Sequence, residues 1–229
     1  MNSYSIQTSV FAPGQDLRAF IRAHVPTLSE GSILLVASKL FALAQGRVVP
    51  QEGVNKDALI AQESTRVFPI VPGLALTYKD GHWCPNAGID ASNAFGQYVL
   101  WPLHPMEEAQ ALCEWMRSTY GVQRCGIVMT DSRVFPARHG VTAFALGYAG
   151  FLGLKDYRGK ADLAGRPMEY TVVNVADCLA TTGAFLMGEG SESQPLALIE
   201  GAPVEFVAEP LHEELCMDPK KDLFRALWS

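Results

Sequence analysis

The sequence has 229 residues, of which 48% are hydrophobic and 18% are charged, a composition that excludes a disordered or fibrous protein. The formal net charge is -6 and no run of lysine or arginine occurs, so a surface that binds nucleic acid is not expected. Five cysteines without a CxxC motif argue against a disulfide framework and a structural zinc site. Neither a signal-like start nor a long apolar stretch is present, which predicts a cytoplasmic protein that does not enter the membrane.

The first predicted elements alternate between strands and helices. A strand over YSIQTSVFA is followed by a helix over 15–25, a buried strand SILLVAS and a short helix KLFALAQ. A modest helix is expected over 55–67. Asp80 and Gly81 then form a two-residue turn signal between apolar runs, which predicts a hairpin.

The second half of the chain continues with a strand YVLWPL and a helix that begins at Pro105 and extends to about Tyr120. The remaining predicted elements are RCGIVMT, VTAFALGYAGF, EYTVVNV and PLALIEG as strands, ADCLATTGAFLMG as a helix and LFRALWS as a short amphipathic piece. This mixed order indicates an α+β fold with mixed sheets rather than a regular βαβ succession. We expect a single unit over 1–229, in which a break between two subdomains would fall near 50–70.

Three acidic residues share a common setting. Asp90, Asp131 and Glu189 each lie at the edge of a predicted element, in a loop that contains glycine or serine. Carboxylates in such loops can point into one cleft, and hard divalent cations prefer oxygen ligands of this kind. Ser132 would add a hydroxyl oxygen. The alternative is that each carboxylate only caps a helix or a turn, and the spacing alone does not separate the two interpretations.

Both common nucleotide fingerprints, GxxxxGK[ST] and GxGxxG, are absent, so any nucleotide site must be of another kind. Gly188 and Gly190 flank Glu189 and are suited to a loop that cradles a phosphate. Ser38 and Lys39 follow the SILLV strand and would suit phosphate contact, although a solvated strand end is the simpler interpretation. No GxSxG motif occurs, and no catalytic residue is assigned from the sequence.

Six sequence blocks resemble one known family. In chain order they are GSILLVASKLFALAQGRVV, NAGIDASN, GIVMTDS, RHGVTAFALGYAG, DYRGKADLAGRPMEYTVVNVAD and LMGEG, and they span roughly 31–201. Together they resemble the coenzyme F420-0:γ-glutamyl ligases, of which this chain looks like a divergent member, similar to the γ-glutamate ligases assigned to folate metabolism. Any one block alone is a weak signal, but six in the same order are specific.

This resemblance implies an activity and an architecture. Family members join L-glutamate to a carboxylate of a cofactor precursor, with GTP as the cosubstrate, Mg²⁺ or Mn²⁺ as the cofactor and an acyl phosphate as the intermediate. The expected fold is an unusual two-domain α+β arrangement that forms an intertwined homodimer, with the nucleotide in a groove at the interface. The implied partners are therefore a small carboxylate acceptor, an amino acid and a second copy of the chain.

The resemblance also implies roles for individual residues. By motif, Asp90 and Asp131 correspond to metal ligands, and Glu189 corresponds to a ligand of the second metal or to a residue of the phosphate loop. Ser132 keeps the hydroxyl of the threonine that the family usually has. The implied nucleotide contacts are Ser38, Lys39, Asn93, Gly188 and Gly190.

Two segments depart from the family pattern. Leu43 replaces a lysine and cannot neutralise phosphate charge, while Val141 and Ala143 replace a glutamine and an aspartate. The loop before them carries a different set of basic residues, which we expect to contact the acceptor: Arg133, Arg138 and His139.

Three functional hypotheses therefore remain. The chain is an amide ligase that adds glutamate or a similar amino acid to a carboxylate, it is a relative with another acceptor such as a folate-like or pterin-like carboxylate, or it is a nucleotide-binding protein without turnover. The retained acidic residues favour a ligase, and the leucine at position 43 favours the third hypothesis. The choice between GTP and ATP is left open.

Overall fold

The computed structural model describes residues 1–208, 215 and 217–227 of the chain. It is an α+β protein with mixed sheets, as the order of the predicted elements indicates. Cys216 and the last two residues of the predicted piece LFRALWS lie outside the described residues. Over the described part of the chain, no helix has the length and apolar character needed to cross a membrane.

The described residues contain five α-helices: α1 (Leu17–His24), α2 (Ser38–Ala44), α3 (Lys56–Gln62), α4 (Pro105–Tyr120) and α5 (Val175–Met187). The strands are β1 (Asn2–Ile6), β2 (Ser32–Ala37), β3 (Val48–Pro50), β4 (Arg66–Val71), β5 (Leu74–Lys79), β6 (His82–Pro85), β7 (Gln97–Val99), β8 (Cys125–Arg133), β9 (Thr142–Ala149), β10 (Leu154–Asp156), β11 (Val172–Asn174) and β12 (Leu196–Glu200). A 3₁₀ turn at Leu223–Leu227 follows the last strand.

The largest sheet has five strands in the order β1-β12-β2-β8-β9. Only β2 and β8 run parallel, and the other neighbours are antiparallel. Side chains alternate across β2, so that Leu34 and Val36 join a core with α1 and α4 while Ile33 and Leu35 join a core with α5. Both faces of β2 are thus buried, which explains its unbroken apolar sequence.

Helix α5 approaches the sheet closely because of one glycine. A Cβ atom at Gly183 would lie 2.2 Å from Cδ2 of Leu35 on β2. The small side chains of this helix therefore permit the contact, since a larger residue would push α5 away from the sheet.

A smaller unit consists of α3, the three-stranded sheet β4-β5-β6 and the ribbon β3-β7. Its own core contains Ile60, Ala75, Ala87, Ile89 and Leu100. The predicted hairpin at Asp80 and Gly81 joins β5 to β6 and has positive φ at both residues, 48° and 83°.

The predicted helix over 55–67 is wrong at its C-terminal end. Helix α3 ends at Gln62, and the residues from Arg66 onward form β4, which pairs with β5. The segment RVFPIV is rich in β-branched and aromatic side chains, and its pairing with a strand later in the chain overrides the weak local helical pattern.

Candidate functional site

A cavity of about 350 Å³ opens where the parallel pairing of β2 with β8 ends. This pairing ends at Ala37 and Thr130. Ser38 begins α2 there, while Asp131, the next residue of β8, remains paired with Phe144 of β9. The carboxyl end of a parallel pair is a common place for ligands in α/β sheets, because loops diverge there and leave a crevice. The smaller unit closes this crevice with residues that include Asp90 and Asn93.

The residues that line this cavity come from distant parts of the chain. They include every residue predicted from the sequence to contact nucleotide or metal: Ser38, Lys39, Asp90, Asn93, Asp131, Ser132, Gly188, Glu189 and Gly190. Lys39 is the one basic residue among those that line the cavity in the described part of the chain. The cavity therefore combines several carboxylates with a single cation.

Lys39 and Asp90 form the central ion pair of the cavity. Nζ of Lys39 lies 2.6 Å from Oδ2 of Asp90 and also donates to the carbonyl oxygen of Ser92 at 2.8 Å. The backbone N–H and the hydroxyl of Ser92 both donate to the Asp90 carboxylate at 2.7 Å. Burial by itself would raise the pKa of Asp90, but Lys39 and Ser92 outweigh it and hold that pKa below its usual value.

Asp131 lies in a less polar environment. Burial raises the pKa of Asp131 to about 6, and the charge of Asp90 acts in the same direction. Hydrogen bonding from the N–H of Ser132 and from the hydroxyl of Ser38 opposes this rise. An aspartate with such a raised pKa is stabilised when a cation binds next to it, because the charged form then has a partner.

The loop after α5 forms the opposite wall. The hydroxyl of Ser132 donates to Glu189 at 2.8 Å, and the side-chain amide of Asn93 donates to the carbonyl of Gly190 at 2.9 Å. The backbone N–H of Gly190 donates to the carboxylate of Glu192 at 2.8 Å, so a carboxylate already lies against this glycine-containing turn. A turn that binds one anionic group in this way can bind another, such as a phosphate.

The donor set suits a hard divalent cation. Asp90, Asp131, Ser132 and Glu189 offer only oxygen atoms, which is the ligand type of Mg²⁺ and Mn²⁺. Within residues 1–208, 215 and 217–227, no three side chains of His, Cys, Asp or Glu are grouped closely enough to hold a metal by themselves. A cation here would complete its coordination with water and ligand phosphates, as Mg²⁺ commonly does.

Sequence reasoning did not find three of the polar groups in this cavity: Ser92, Glu192 and the indole of Trp101. Trp101 is only 3% exposed, and its Nε1 atom has no hydrogen-bond partner. The segment YVLWPL indicated a strand, and nothing in its pattern showed that this indole would face a cavity.

The basic residues expected to contact the acceptor lie elsewhere. Arg133 lines a second cavity of about 310 Å³, where it is 3.3 Å from Asp177 and stacks over the rings of Phe135 and Phe144. Arg138 and His139 are exposed and line neither cavity.

The two apolar replacements in this segment also differ from each other in environment. Val141 is exposed, whereas Ala143 is buried on β9 and its carbonyl oxygen accepts a hydrogen bond from Thr181. Neither residue lines one of these two cavities. The segment 133–143 is thus not a continuous wall of the first cavity.

Comparisons with known proteins agree over most of the chain. The profile of the family described as F420-0:Gamma-glutamyl ligase matches residues 5–201. A coenzyme F420:L-glutamate ligase of Archaeoglobus fulgidus is 33% identical over 230 residues, covering 93% of this chain and 91% of the relative. The enzyme of the same name from Methanopyrus kandleri is 31% identical over 235 residues, with coverage of 93% and 92%. The one from Methanococcus maripaludis is 34% identical over 216 residues, with coverage of 86% of each chain.

Proposed function

Because the chain belongs to the F420-0:γ-glutamyl ligase family, we propose that it is a nucleotide- and metal-dependent ligase. It joins L-glutamate, or a similar amino acid, to the carboxylate of a small acceptor, as the names of its relatives suggest. One observation carries the proposal. The first cavity is lined by the carboxylates of Asp90, Asp131 and Glu189 and by Lys39, which is its one basic side chain among the described residues. This combination suits a polyanionic nucleotide that binds together with a divalent cation.

The reaction needs two displacements. A carboxylate oxygen of the acceptor attacks the γ-phosphorus of GTP or ATP, the bond to the bridging oxygen breaks, and the nucleoside diphosphate leaves. The amine nitrogen of glutamate then attacks the carbonyl carbon of the acyl phosphate, the C–O bond breaks, and inorganic phosphate leaves. A carboxylate has no good leaving group of its own, and phosphorylation supplies one.

The residues of the cavity have separate tasks in this scheme. Lys39 contacts the phosphates, with Ser38, Asn93 and the turn of Gly188 and Gly190 around it. The residues that hold the cation are Asp90, Asp131, Ser132 and Glu189. A bound Mg²⁺ or Mn²⁺ would neutralise the charge of the phosphates. The ammonium of glutamate must lose a proton before attack, and the carboxylates of the cavity are the bases within the site that can take it.

The second cavity is our candidate for the acceptor. It lies next to the first, because Trp101 lines one and Phe144 lines the other, and their ring centroids are 5.9 Å apart. Arg133 provides a cation among aromatic rings in this cavity, which suits an anionic acceptor with a planar ring. Arg138 and His139 would contact the acceptor only if their loop moves toward it.

The active form in this proposal is a two-domain homodimer. Strands β4 and β5 present an apolar surface that includes Phe68, Ile70 and Leu76, which are 39%, 62% and 36% exposed. Adjacent exposed apolar side chains of this size are typical of a surface that binds another protein. A second copy of the chain is the partner that we propose for it.

Product analysis tests this function. The purified protein is incubated with GTP or ATP, Mg²⁺ or Mn²⁺, L-glutamate and candidate acceptors, and the mixture is analysed by mass spectrometry. The proposal requires an acceptor that gains one glutamyl residue while one nucleoside triphosphate is cleaved per bond. Nucleotide cleavage without an amide product from any acceptor would count against it.

A second candidate function is nucleotide and metal binding without turnover. Leu43 lines the first cavity, in the segment where the resemblance implies a lysine. An apolar side chain there leaves the cavity with less positive charge for the phosphates. Tight metal-dependent binding of GTP, with no hydrolysis and no product from any acceptor, would support this alternative.

A further inference from the structure

The C-terminal segment of the chain forms part of the wall of the second cavity. The residues of this segment that line the cavity are Leu215, Met217, Pro219, Asp222 and Phe224. Phe224 belongs to the amphipathic piece LFRALWS. The family profile matches residues 5–201, so this part of the wall lies outside the matched region.

Contacts with the rest of the protein hold the segment beside the cavity. The N–H of Val207 donates to the carbonyl oxygen of Gly150 at 3.0 Å, and Nη2 of Arg117 donates to the Val207 carbonyl oxygen at 2.9 Å. Leu215 is partly buried and packs against the core that contains α5. The chain is therefore attached to the folded protein at both of these points.

Hydrogen bonds within the segment place Phe224. Its N–H donates to Oδ1 of Asp222 at 2.8 Å, and the N–H of Arg225 donates to the Asp222 carbonyl oxygen at 3.2 Å. Phe224 is 46% exposed and lines the second cavity, whereas its neighbour Leu223 is 94% exposed and lines neither cavity. The turn thus presents one of its two adjacent apolar side chains to the cavity and the other to solvent.

The rest of the wall is rich in aromatic rings. The rings that other parts of the chain contribute are those of Tyr78, Trp83, Phe135 and Phe144. The guanidinium carbon of Arg133 lies 4.6 Å from the ring centroid of Phe135, and that of Arg66 lies 6.0 Å from the ring centroid of Trp83. Aromatic faces and guanidinium groups in one cavity suit a ligand that has both a planar ring and an anionic group.

We propose that Phe224 is a specificity-determining residue, which stacks on the planar ring of the acceptor in the second cavity. The inference rests on the proposed function and on the assignment of this cavity to the acceptor. Residues in loops around a fixed reaction site can change the substrate that is accepted without changing the chemistry. A wall outside the region that matches the family is suited to that task, because the phosphate chemistry belongs to the first cavity.

The test uses Phe224→Ala, with F420-0, pteroate and the ring-free carboxylate glutarate as acceptors. KM and kcat are measured from the glutamyl product, GTP affinity by calorimetry and the fold by a thermal melt. Stacking on an aromatic side chain is lost in this variant, so we expect KM for the ring-bearing acceptor to rise roughly 5–150-fold. We expect kcat and GTP affinity to stay unchanged, since Phe224 does not line the first cavity.

Three further variants separate stacking from other causes. Phe224→Tyr keeps the ring and should keep the wild-type KM, whereas Phe224→Leu keeps an apolar side chain and should lose affinity as Phe224→Ala does. Phe224→Leu decides the question if Phe224→Ala loses its cooperative melting transition. Leu223→Ala is the matched control on the same turn and should behave like the wild type.

This pattern supports the inference. A wild-type KM in a folded Phe224→Ala or Phe224→Leu, or an equal rise of KM in Leu223→Ala, overturns it and leaves the proposed function intact. A wild-type protein that glutamylates glutarate but neither ring-bearing acceptor also overturns the inference alone. Failure of the wild type to form an amide from any carboxylate overturns the proposed function and the inference together.

Discussion

Nζ of Lys39 lies 2.6 Å from Oδ2 of Asp90, although the two residues are 51 positions apart in the chain. The pair joins the start of α2, directly after the central strand β2 of the large sheet, to the loop between β6 and β7. Asp90 therefore holds the lysine inside the cavity. A cation that binds to Asp90 would release the ammonium toward a ligand phosphate, because both cannot share the same oxygen without repulsion.

Lys39→Met is expected to weaken nucleotide binding. It removes the one basic side chain among the described residues that line the cavity, while Asp90, Asp131 and Glu189 remain. A hydrogen bond to a charged group contributes about 1.5–3 kcal/mol, so we expect a loss of roughly 10–100-fold in GTP affinity by calorimetry. Lys39→Arg keeps the charge and is the control. Equal affinity in the methionine variant would contradict the phosphate role of Lys39.

Asp90→Asn and Asp131→Asn are each expected to abolish metal-dependent nucleotide binding. Each removes one negative oxygen ligand without changing the shape of the side chain. Asp156→Asn is a suitable control, because Asp156 pairs with Arg158 on the surface and lines neither cavity. Calorimetry with GTP and Mn²⁺ measures the effect. Unchanged GTP affinity in both cavity variants would refute these ligand assignments.

The stability of Asp131→Asn should separate this role from a structural one. Burial raises the pKa of Asp131 to about 6, which means that its charged form is less stable in the folded protein than in the unfolded chain. Near neutral pH, the asparagine variant without ligands is therefore expected to melt at the same or a higher temperature than the wild type. A large loss of stability would indicate that the carboxylate supports the fold.

Helices and strands were predictable from the sequence where neighbouring residues determine where they begin and end. Helix α4 begins at Pro105 and ends at Tyr120, because proline suits the first turn and Gly121 adopts the left-handed conformation that ends the helix. Strand β4 was not predictable in this way, since its partner β5 lies later in the chain and tertiary pairing decides its state.

The sequence placed the candidate nucleotide and metal residues in loops and near strand ends, and the structure brings them to one cavity, while their roles stay predictions. Asp131 lies just past the end of the β2–β8 pairing and Glu189 lies in the glycine-containing loop after α5, and both line the first cavity. The position of the Trp101 ring depends on its packing against Gly88 and on its contacts with Arg47 and Lys79, which no sequence pattern records. Arg138 is exposed because of the conformation of the loop between β8 and β9. The basic residues in that segment of the sequence do not indicate this conformation.

Glu63→Gln is expected to destabilise the fold. Removing the charge of Glu63 leaves two partly buried cations without their shared carboxylate, and since a hydrogen bond to a charged group contributes about 1.5–3 kcal/mol, we expect a loss of that order. Arg47 and Lys79 would lose their shared carboxylate, at 2.7 and 2.5 Å. Denaturant unfolding at pH 7 measures the loss. The exposed pair of Glu30 and Arg124 supplies the control variant Glu30→Gln, for which we expect less than about 1 kcal/mol.

The ion pairs of Glu63 with Arg47 and Lys79 also predict how stability changes with pH. Burial by itself would raise the pKa of Glu63, but Lys79 and Arg47 outweigh it and lower that pKa. A lowered folded-state pKa means that the stabilisation is present above the unfolded-state value of about 4.3 and is lost as pH falls through the folded-state value. The stability difference between wild type and Glu63→Gln should therefore shrink below about pH 4.3. A difference that stays constant from pH 7 to pH 3 would exclude a charged Glu63 as its cause.

The proposed dimer predicts a clear change in mass. Phe68→Asp together with Leu76→Asp places two charges on paired positions of β4 and β5, in the middle of the exposed apolar surface. Burying these charges against a second copy is unfavourable, so light scattering should show a shift from twice the chain mass to 24.9 kDa. Leu163→Asp is the control, since Leu163 is fully exposed in a different loop. A wild-type protein of 24.9 kDa at micromolar concentration would contradict the dimer.

The acceptor prediction concerns the second cavity. Arg133 stacks over Phe135 with its guanidinium carbon 4.6 Å from the ring centroid, and it pairs with Asp177 at 3.3 Å. Of the departures from the family pattern, Arg133 lines this cavity, Val141 is exposed and lines neither cavity, and Ala143 is buried in the core. We therefore expect F420-0 to be a poor acceptor compared with another anionic carboxylate.

Arg133→Met tests this assignment, because methionine keeps an apolar side chain over the rings and removes the charge. If Arg133 contacts the acceptor through a charged hydrogen bond of about 1.5–3 kcal/mol, KM for the acceptor should rise roughly 10–100-fold while GTP affinity stays unchanged. Arg138→Met is the matched control on the same segment, since Arg138 lines neither cavity. Mass analysis of parallel reactions with F420-0 and with folate-like or pterin-like carboxylates measures the preference. Efficient glutamylation of F420-0, insensitive to Arg133→Met, would show that both the acceptor and its proposed place are wrong.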